Sequence, residues 1–584
     1  MFRPLSVLAL VTSLASVATA ENWPRFRGPS GNGIAPSSPA LPSEWSPGAN
    51  LAWKTALPGP GASSPILVNG RAFVTCYSGY GLSQESPGNI EDLVRHLVCV
   101  DLATGEKLWQ RDVPVSLPED PYTGIGVTAH GYASHTPVSD GTNVYAFFGK
   151  SGVHAFDMNG EPLWQANVGK ESDPTKWGSS SSPIVHKNMV IITASAESQA
   201  IVALDRATGK EVWRQEAAGL DGMWGTPSLV QVDENRTDLV MCVAKELWGL
   251  NPDTGEMRWY AAATEAEQAY SSVILDGKRV IAVTGRGGGS VAVDAGGSGD
   301  VSESNTAWSG SVNGSFASPV QHEDKIYVLS RGVVSVVDAT SGDRLQQVRL
   351  TGAMETGGRF GSLDYPSPIV VGNRLLCLNG SGQMYVFQLG DELEQVSVNR
   401  VTTEKEVFWG TPAISQGRLV MRSSKHLYCV VDKGETVGPD VNAVAGKDDT
   451  PTAGRGGPGN GGAGRGRSGG GFGGGPGRGG AGGRGPGGGG PGGGGGRFDP
   501  MSMFNGMDRN QDGSVTADEL EGNRMADRLK TLDKDGDAAI SADEFRSGIG
   551  SLFRGGGGSR GGRGGYGGND SRPKRPQRPT MARS

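Results

Sequence analysis

Histidine is scarce in this chain, seven residues in 584, and the seven are scattered. No cluster with the spacing of a transition-metal site forms from them, and His130 and His135 have no carboxylate motif around them. Cysteine is scarcer still, with five residues, no adjacent pair and no Cys-x-x-Cys. All five sit in apolar, strand-like runs, as small buried hydrophobes do. Cys76 and Cys99 fall in neighbouring strands, which leaves a disulfide open in an oxidising compartment. Beyond residue 20 no apolar run is long enough to span a bilayer as a helix. A nucleophile elbow is missing, and so is a phosphate loop: Gly285-Arg286-Gly287-Gly288-Gly289-Ser290 is glycine-rich but lies in a hairpin rather than ahead of a helix. The formal net charge of −7 names no partner.

What the chain has in quantity is glycine, 96 residues, and a repeat. The clearest copy of the repeat is Ala203-Leu204-Asp205-Arg206-Ala207-Thr208-Gly209-Lys210-Glu211-Val212-Trp213. Alternating apolar residues lead into it as a strand. Asp205 caps turn amides and Gly209 supplies a positive φ. The returning strand ends on a large apolar anchor, Trp213. The frame recurs as Asp101, Thr104, Gly105, Trp109 and as Asn251, Thr254, Gly255, Trp259. It recurs one residue short as Asp157, Gly160, Trp164. Asp338, Ser341 and Gly342 keep the turn with Gln346 in place of Trp, and a copy begun by Asp294 strays before Trp308.

A Ser/Thr-Pro step opens an apolar strand ahead of each copy, at Ser64-Pro65, Thr136-Pro137, Ser182-Pro183, Thr226-Pro227, Ser318-Pro319, Ser367-Pro368 and Thr411-Pro412, with Ser272-Val273 as a copy that has lost its proline. Apart from one 72-residue interval the spacing is 44 to 49 residues, which is the period of four-stranded propeller blades. The long interval comes from insertions at 77–96 and 114–131. The eighth unit stops at Val431 without a closing strand, and Leu51-Ala52-Trp53-Lys54 supplies one from the other end of the repeat region. Closure of this kind leaves no free sheet edge.

The Ala-x-Asp-x-x-Thr-Gly-x-x-x-Trp frame resembles the tryptophan-docking repeat of PQQ-type propellers, over roughly residues 23–431. That group contains both quinoprotein alcohol dehydrogenases and the non-enzymatic propeller lipoprotein of outer-membrane assembly, BamB, so the resemblance implies a fold more than a reaction. The quinoprotein alternative implies PQQ held with Ca²⁺ and a catalytic carboxylate. It also implies an adjacent cysteine pair, which this chain lacks.

An aromatic residue stands just upstream of most Ser/Thr-Pro steps: Tyr132, Trp177, Trp224, Tyr270, Phe316, Tyr365 and Trp409. If the Pro strands are innermost, these rings crowd one mouth of the axial channel. They then either line a pocket for a flat cofactor or peptide, with Trp177, Trp224, Tyr270 and Trp409 as its candidates, or pack between blades and plug the channel.

Past the repeats the composition changes. Residues 435–498 are long Gly runs punctuated by Arg, a flexible tether that cannot form a core. RGG tracts bind nucleic acid in other settings, but here no specific nucleic-acid partner is expected. Next comes Asp508-Arg509-Asn510-Gln511-Asp512-Gly513-Ser514-Val515-Thr516-Ala517-Asp518-Glu519, which matches an EF-hand calcium loop. Calcium wants six to eight oxygens. Asp508, Asn510 and Asp512 offer side chains, Ser514 its carbonyl, Thr516 a water-mediated contact and Glu519 both carboxylate oxygens. A second loop offers Asp533, Asp535, Asp537, Ala539, Ser541 and Glu544. It has Ala538 where glycine is expected, which at a left-handed position costs on the order of 1 kcal/mol and predicts a weaker second site.

These readings give an all-β eight-bladed propeller closed by an N-terminal strand, plus a small α-helical EF-hand pair on a disordered Gly/Arg-rich tether. The expected segments are a signal peptide at 1–20, a lead-in at 21–49 that packs across the ring, the propeller at 50–434, the linker at 435–498, the EF-hand pair at 499–554 and a basic disordered tail at 555–584. Glu21 rather than a cysteine stands directly after Ala20, so a soluble periplasmic or extracellular protein is expected rather than a lipid-anchored one. The function expected is a monomeric, non-catalytic propeller that binds a protein or cell-envelope polymer and carries a Ca²⁺ module. The alternative is a PQQ-dependent dehydrogenase.

Overall fold

The computed structural model describes residues 22–36, 41–83, 85–121, 132–173, 176–285, 287–352 and 364–438, with 514–516, 519–520, 529, 532–533, 537, 539–541, 544–545, 577–579 and 581. Residues 1–453 and 573–584 make one compact unit and 454–572 another.

In the first unit the repeat builds eight antiparallel sheets. Blades one to seven run in sequence from 66–114 to 369–399, and blade eight is 413–415, 418–422 and 426–430 completed by Leu51–Ala56. In that closing pair Trp53 stands opposite Cys429 and Ala56 opposite His426, as the stray strand in the sequence requires. The ring is locked at its inner edge by the Ser/Thr residues. The backbone N–H of Ser64 donates to the Thr136 hydroxyl at 2.9 Å, Thr136 to Ser182 at 3.1 Å, Ser182 to Thr226 at 3.0 Å and Thr226 to Ser272 at 2.9 Å. Ser272 donates to Ser318 at 2.9 Å, Ser318 to Ser367 at 3.0 Å, Ser367 to Thr411 at 2.9 Å, and Thr411 back to Ser64 at 2.9 Å. These eight bonds form a closed circuit with one link per blade.

The outer edge is held by tryptophans. The Trp53 indole donates to Leu102 O at 3.0 Å, Trp109 to Met158 O at 3.0 Å, Trp164 to Arg206 O at 2.9 Å, Trp213 to Pro252 O at 3.1 Å and Trp308 to Ala339 O at 2.9 Å. Each ring lies on the turn glycine of the next blade. At Gly255, with φ at +79°, an added Cβ would sit 2.5 Å from the Trp213 ring. The core therefore lies between blades: Ile191, Ile201 and Trp213 of blade three pack with Leu239, Met241 and Trp248 of blade four.

The stray copy at Asp294 has a structural outcome. Residues Gly299–Asp300 leave blade five and pair in parallel with Trp259 and Tyr260 on the edge of blade four. Trp259 turns inward and donates to the buried Asp238 carboxylate at 2.8 Å, which Arg236 and Arg258 also hold.

The lead-in crosses the ring as expected. Trp23 exchanges backbone bonds with Leu67 of blade one, Ser139 N of blade two donates to Pro24 O, and Val370 N of blade seven donates to Gly33 O. Asn32 bonds Leu275 of blade five in both directions, and Arg27 reaches Pro319 O of blade six. All these contacts lie at or just after the Pro steps, on the strand side of the hydroxyl circuit. Arg27 is fully buried, and burial together with the nearby Arg25 charge brings its guanidinium down to about 9.

All five cysteines are free and buried. Phe73 stands opposite Cys99 and Cys76 opposite His96, so the two cysteines point to opposite faces of blade one and the Cys76–Cys99 disulfide does not form. No described helix is long and apolar enough to cross a membrane.

Candidate functional site

The hydroxyl circuit sets the height of everything that precedes it in each inner strand. The aromatic residue a few positions upstream is therefore carried to the mouth opposite the lead-in in six of the eight blades. Six rings meet there in succession. Centroid separations are 5.8 Å for Trp177–Trp224, 5.2 Å for Trp224–Tyr270, 5.1 Å for Tyr270–Phe316, 4.5 Å for Phe316–Tyr365 and 4.3 Å for Tyr365–Trp409. Such pairs contribute about 0.5–1.5 kcal/mol each beyond area burial. Trp224 is pinned by its indole N–H donating to Gly178 O at 2.9 Å. Trp409 is buried, the middle four rings are half-buried and Trp177 is 40% exposed. The two sequence readings thus merge: the rings pack on one another between blades, and together they present an aromatic arc. Tyr132, the seventh upstream aromatic, packs instead on Tyr77 and Tyr80 of the blade-one insertion.

Below the Trp177 end lies a buried polar chain that the sequence did not announce. His135 Nε2 is 2.9 Å from Ser179 Oγ, which donates to Glu197 Oε1 at 2.7 Å. Burial pushes Glu197 up to about 7 and His135 down to about 3. Two carboxylates flank the arc. Asp173 accepts from Gly178 N at 2.7 Å, and Asp364, adjacent to Tyr365, accepts from Gly332 N at 2.9 Å. Burial raises Asp364 above the ordinary carboxylate range. Arg422, packed against Gly410, is fully buried and donates to Ser63 O and Thr75 O.

A second missed constellation runs across three strands of blade one. Ser78 Oγ is 2.7 Å from His96 Nε2, and His96 Nδ1 is 2.7 Å from Asp112 Oδ1. The order of atoms is that of a serine–histidine–aspartate relay. However, the Asp112 side chain is 57% exposed, and the neighbouring cavity of ≈ 450 Å³ is lined by Asp112, Arg111, His154 and Gln165 but not by Ser78 or His96. Cross-strand neighbours such as these are far apart in sequence, so no motif could reveal them.

In the second unit, Ser514–Thr516 pairs antiparallel with Ala539–Ser541, with Val515 opposite Ile540 at the centre. Glu519 accepts from Thr516 N at 3.0 Å and Glu544 from Ser541 N at 2.9 Å. Leu529, Leu532 and Phe545 are buried. Asp508, Asn510, Asp512 and Asp535 lie outside the described residues. Among the described residues, no group of three or more His, Cys, Asp or Glu is placed to hold a metal.

Eight blades, five of them joined to the next by a docked tryptophan, around an aromatic mouth define a PQQ-like repeat propeller. The family described as outer membrane protein assembly factor BamB matches at 44–246, 95–348 and 199–437, and the chain belongs to that family. No curated protein matches it in sequence. Among solved structures, BamB from Moraxella catarrhalis is 12% identical over 66% of this chain and 99% of its own, with a TM-score of 0.46. A europium-containing methanol dehydrogenase is 12% identical over 69% and 89%, with a TM-score of 0.47. The quinohemoprotein alcohol dehydrogenase from Comamonas testosteroni is 13% identical over 72% and 82%, with a TM-score of 0.45. Such likeness does not choose between a binding protein and an enzyme.

Proposed function

We propose that the protein is an exported, non-catalytic propeller that binds an extended segment of a protein or cell-envelope polymer at the aromatic arc. The observation that carries this reading is the run of six contacting rings at one mouth, with the lead-in spanning the ring on the other side of the hydroxyl circuit. Aromatic faces fixed by a rigid scaffold take flat or apolar groups at low entropic cost. PQQ is a polycarboxylate, and the described groups beside the arc suit it poorly: Asp173 and Asp364 are acidic, and the Arg422 guanidinium is spent on carbonyls. The Ca²⁺ module is the second part of the proposal, with 508–519 as the stronger loop and 533–544 as the weaker. Pairing of Val515 with Ile540 supports a two-loop unit.

Four measurements on the intact chain test it. Tryptophan emission should respond to peptidoglycan fragments or to an unfolded polypeptide, and Trp177→Ala with Trp224→Ala should abolish the response; no response to either probe overturns the binding reading. Incubation with PQQ and Ca²⁺ should leave no quinone absorbance after gel filtration and no dye reduction with alcohols; bound quinone with turnover would establish the dehydrogenase instead. A fluorophosphonate should leave Ser78 unmodified, and stoichiometric labelling there would make the chain a hydrolase. Calorimetric titration should show two Ca²⁺ sites of unequal affinity, with Glu519→Gln removing the tighter one.

A further inference from the structure

The tail, expected from sequence to be wholly disordered, places Gln577–Pro579 and Met581 against the propeller unit to which they belong. The Arg578 guanidinium forks onto one carboxylate, with Nε donating to Glu246 Oε2 at 2.8 Å and Nη2 to Glu246 Oε1. Its flat face lies over the Tyr260 ring, 3.3 Å from the centroid. Gly219 N, in the turn after blade three, donates to Gln577 O at 3.0 Å. Pro579 is buried, and Met581 bridges in parallel to Met257 on the outer strand of blade four. The hydrogen bonds to Glu246 hold the guanidinium above its ordinary range.

The receiving side is built for this. With the tail seated, Glu246 is only 4% exposed, and its other hydrogen bond comes from the Trp248 indole at 2.9 Å. A carboxylate at that depth is strongly disfavoured without a cation, whereas a planar fork satisfies both oxygens at once. Proline after the arginine biases it to extended backbone and brings no N–H that burial would strand. The tail repeats this dipeptide every three residues, as Arg572-Pro573, Arg575-Pro576 and Arg578-Pro579, so a slip by three presents the same pair.

We infer that the junction of blades three and four is a peptide-binding site specific for an Arg-Pro dipeptide, and that its occupant is the chain's own tail, bound in cis. The polypeptide between Gly438 and Gln577, which includes both calcium-loop sequences, is thus tied to the propeller unit at both of its ends.

The test is fluorescence anisotropy with a labelled peptide of sequence 571–584. It should saturate a chain ended after Asp570 and bind the intact chain at least tenfold more weakly, because the site is already filled. Glu246→Gln in the shortened chain should weaken binding tenfold or more, and Arg572→Ala, Arg575→Ala and Arg578→Ala together in the intact chain should strengthen it. If Glu246→Gln fails to fold, a peptide with lysine at 572, 575 and 578 reads the same interaction from the other side and should also lose tenfold. Equal binding to shortened and intact chains, or indifference to both the Gln and the Lys changes, overturns the site. An intact chain that sediments as a dimer and becomes monomeric on shortening overturns the cis assignment.

Discussion

The two rims of the propeller have diverged to different degrees. At the inner rim all eight blades keep a Ser or Thr hydroxyl, and all eight links are made. Blade five shows which half of the Ser-Pro step matters: Val273 replaces the proline, yet Ser272 still both donates and accepts. At the outer rim the tryptophan dock is made by Trp53, Trp109, Trp164, Trp213 and Trp308 and is replaced elsewhere. The difference follows from solvent and space. An inner N–H sits where water cannot substitute for the lost acceptor. An outer ring fills a groove that another side chain can fill in its own way.

The largest effect should come from emptying an outer dock that is intact. Trp213→Ala removes a 9% exposed ring from the blade three–four core and should cost about 3–5 kcal/mol, read as a lower denaturant midpoint.

Glu197 sharpens the contrast by pH. Its carboxyl ionises at an ordinary value of 4.5 when unfolded and at about 7 in the fold, because burial penalises the charge. Between those values the native state holds the extra proton, so stability falls as pH rises, by about 1.4 kcal/mol for each pH unit crossed. Glu197→Gln should flatten that slope, matching the parent below about 4.5 and exceeding it above about 7. The exposed turn carboxylates run the other way. Thr104, through its amide and hydroxyl, holds Asp101 below its ordinary range, so that contribution is present at neutral pH and lost on acidification. Denaturation midpoints of parent and variant across pH separate the two.

Thr226→Val tests the inner rim alone. It keeps the shape, removes the acceptor of Ser182 N and should cost about 1–3 kcal/mol. The same change at exposed Thr208 should cost less, since water replaces the lost bond.

The outer frame was legible in sequence because each turn is local: Asp205, Thr208 and Gly209 act within one hairpin. Closure by 50–55 was legible because a blade cannot lack its fourth strand. The inner circuit was visible only as a recurrence of Ser/Thr, since donor and acceptor stand 44 to 72 residues apart in seven links and 347 apart in the closing one, and nothing local says that they meet. The aromatic arc inherits its position from that circuit, so its residues could be named while their contacts could not. The Ser78–His96–Asp112 relay and the Arg578 dock depend on cross-strand or long-range placement of ordinary polar residues, and carry no motif.

The smallest effect is the most discriminating. At blade six Gln346 stands where the frame calls for tryptophan, and on a simple repeat model Gln346→Trp would repair a defect. The structure argues otherwise. Gln346 donates to Leu393 O at 3.3 Å and accepts from Leu393 N at 2.9 Å, closing both backbone groups of a 5% exposed residue. An indole can donate but not accept, so the substitution strands the Leu393 N–H, and the ring's added burial offsets only part of that loss. A net destabilisation of about 1 kcal/mol is expected. If Gln346→Trp instead raises the denaturation midpoint, the outer rim is a set of interchangeable docks, and its divergence reflects drift rather than local replacement.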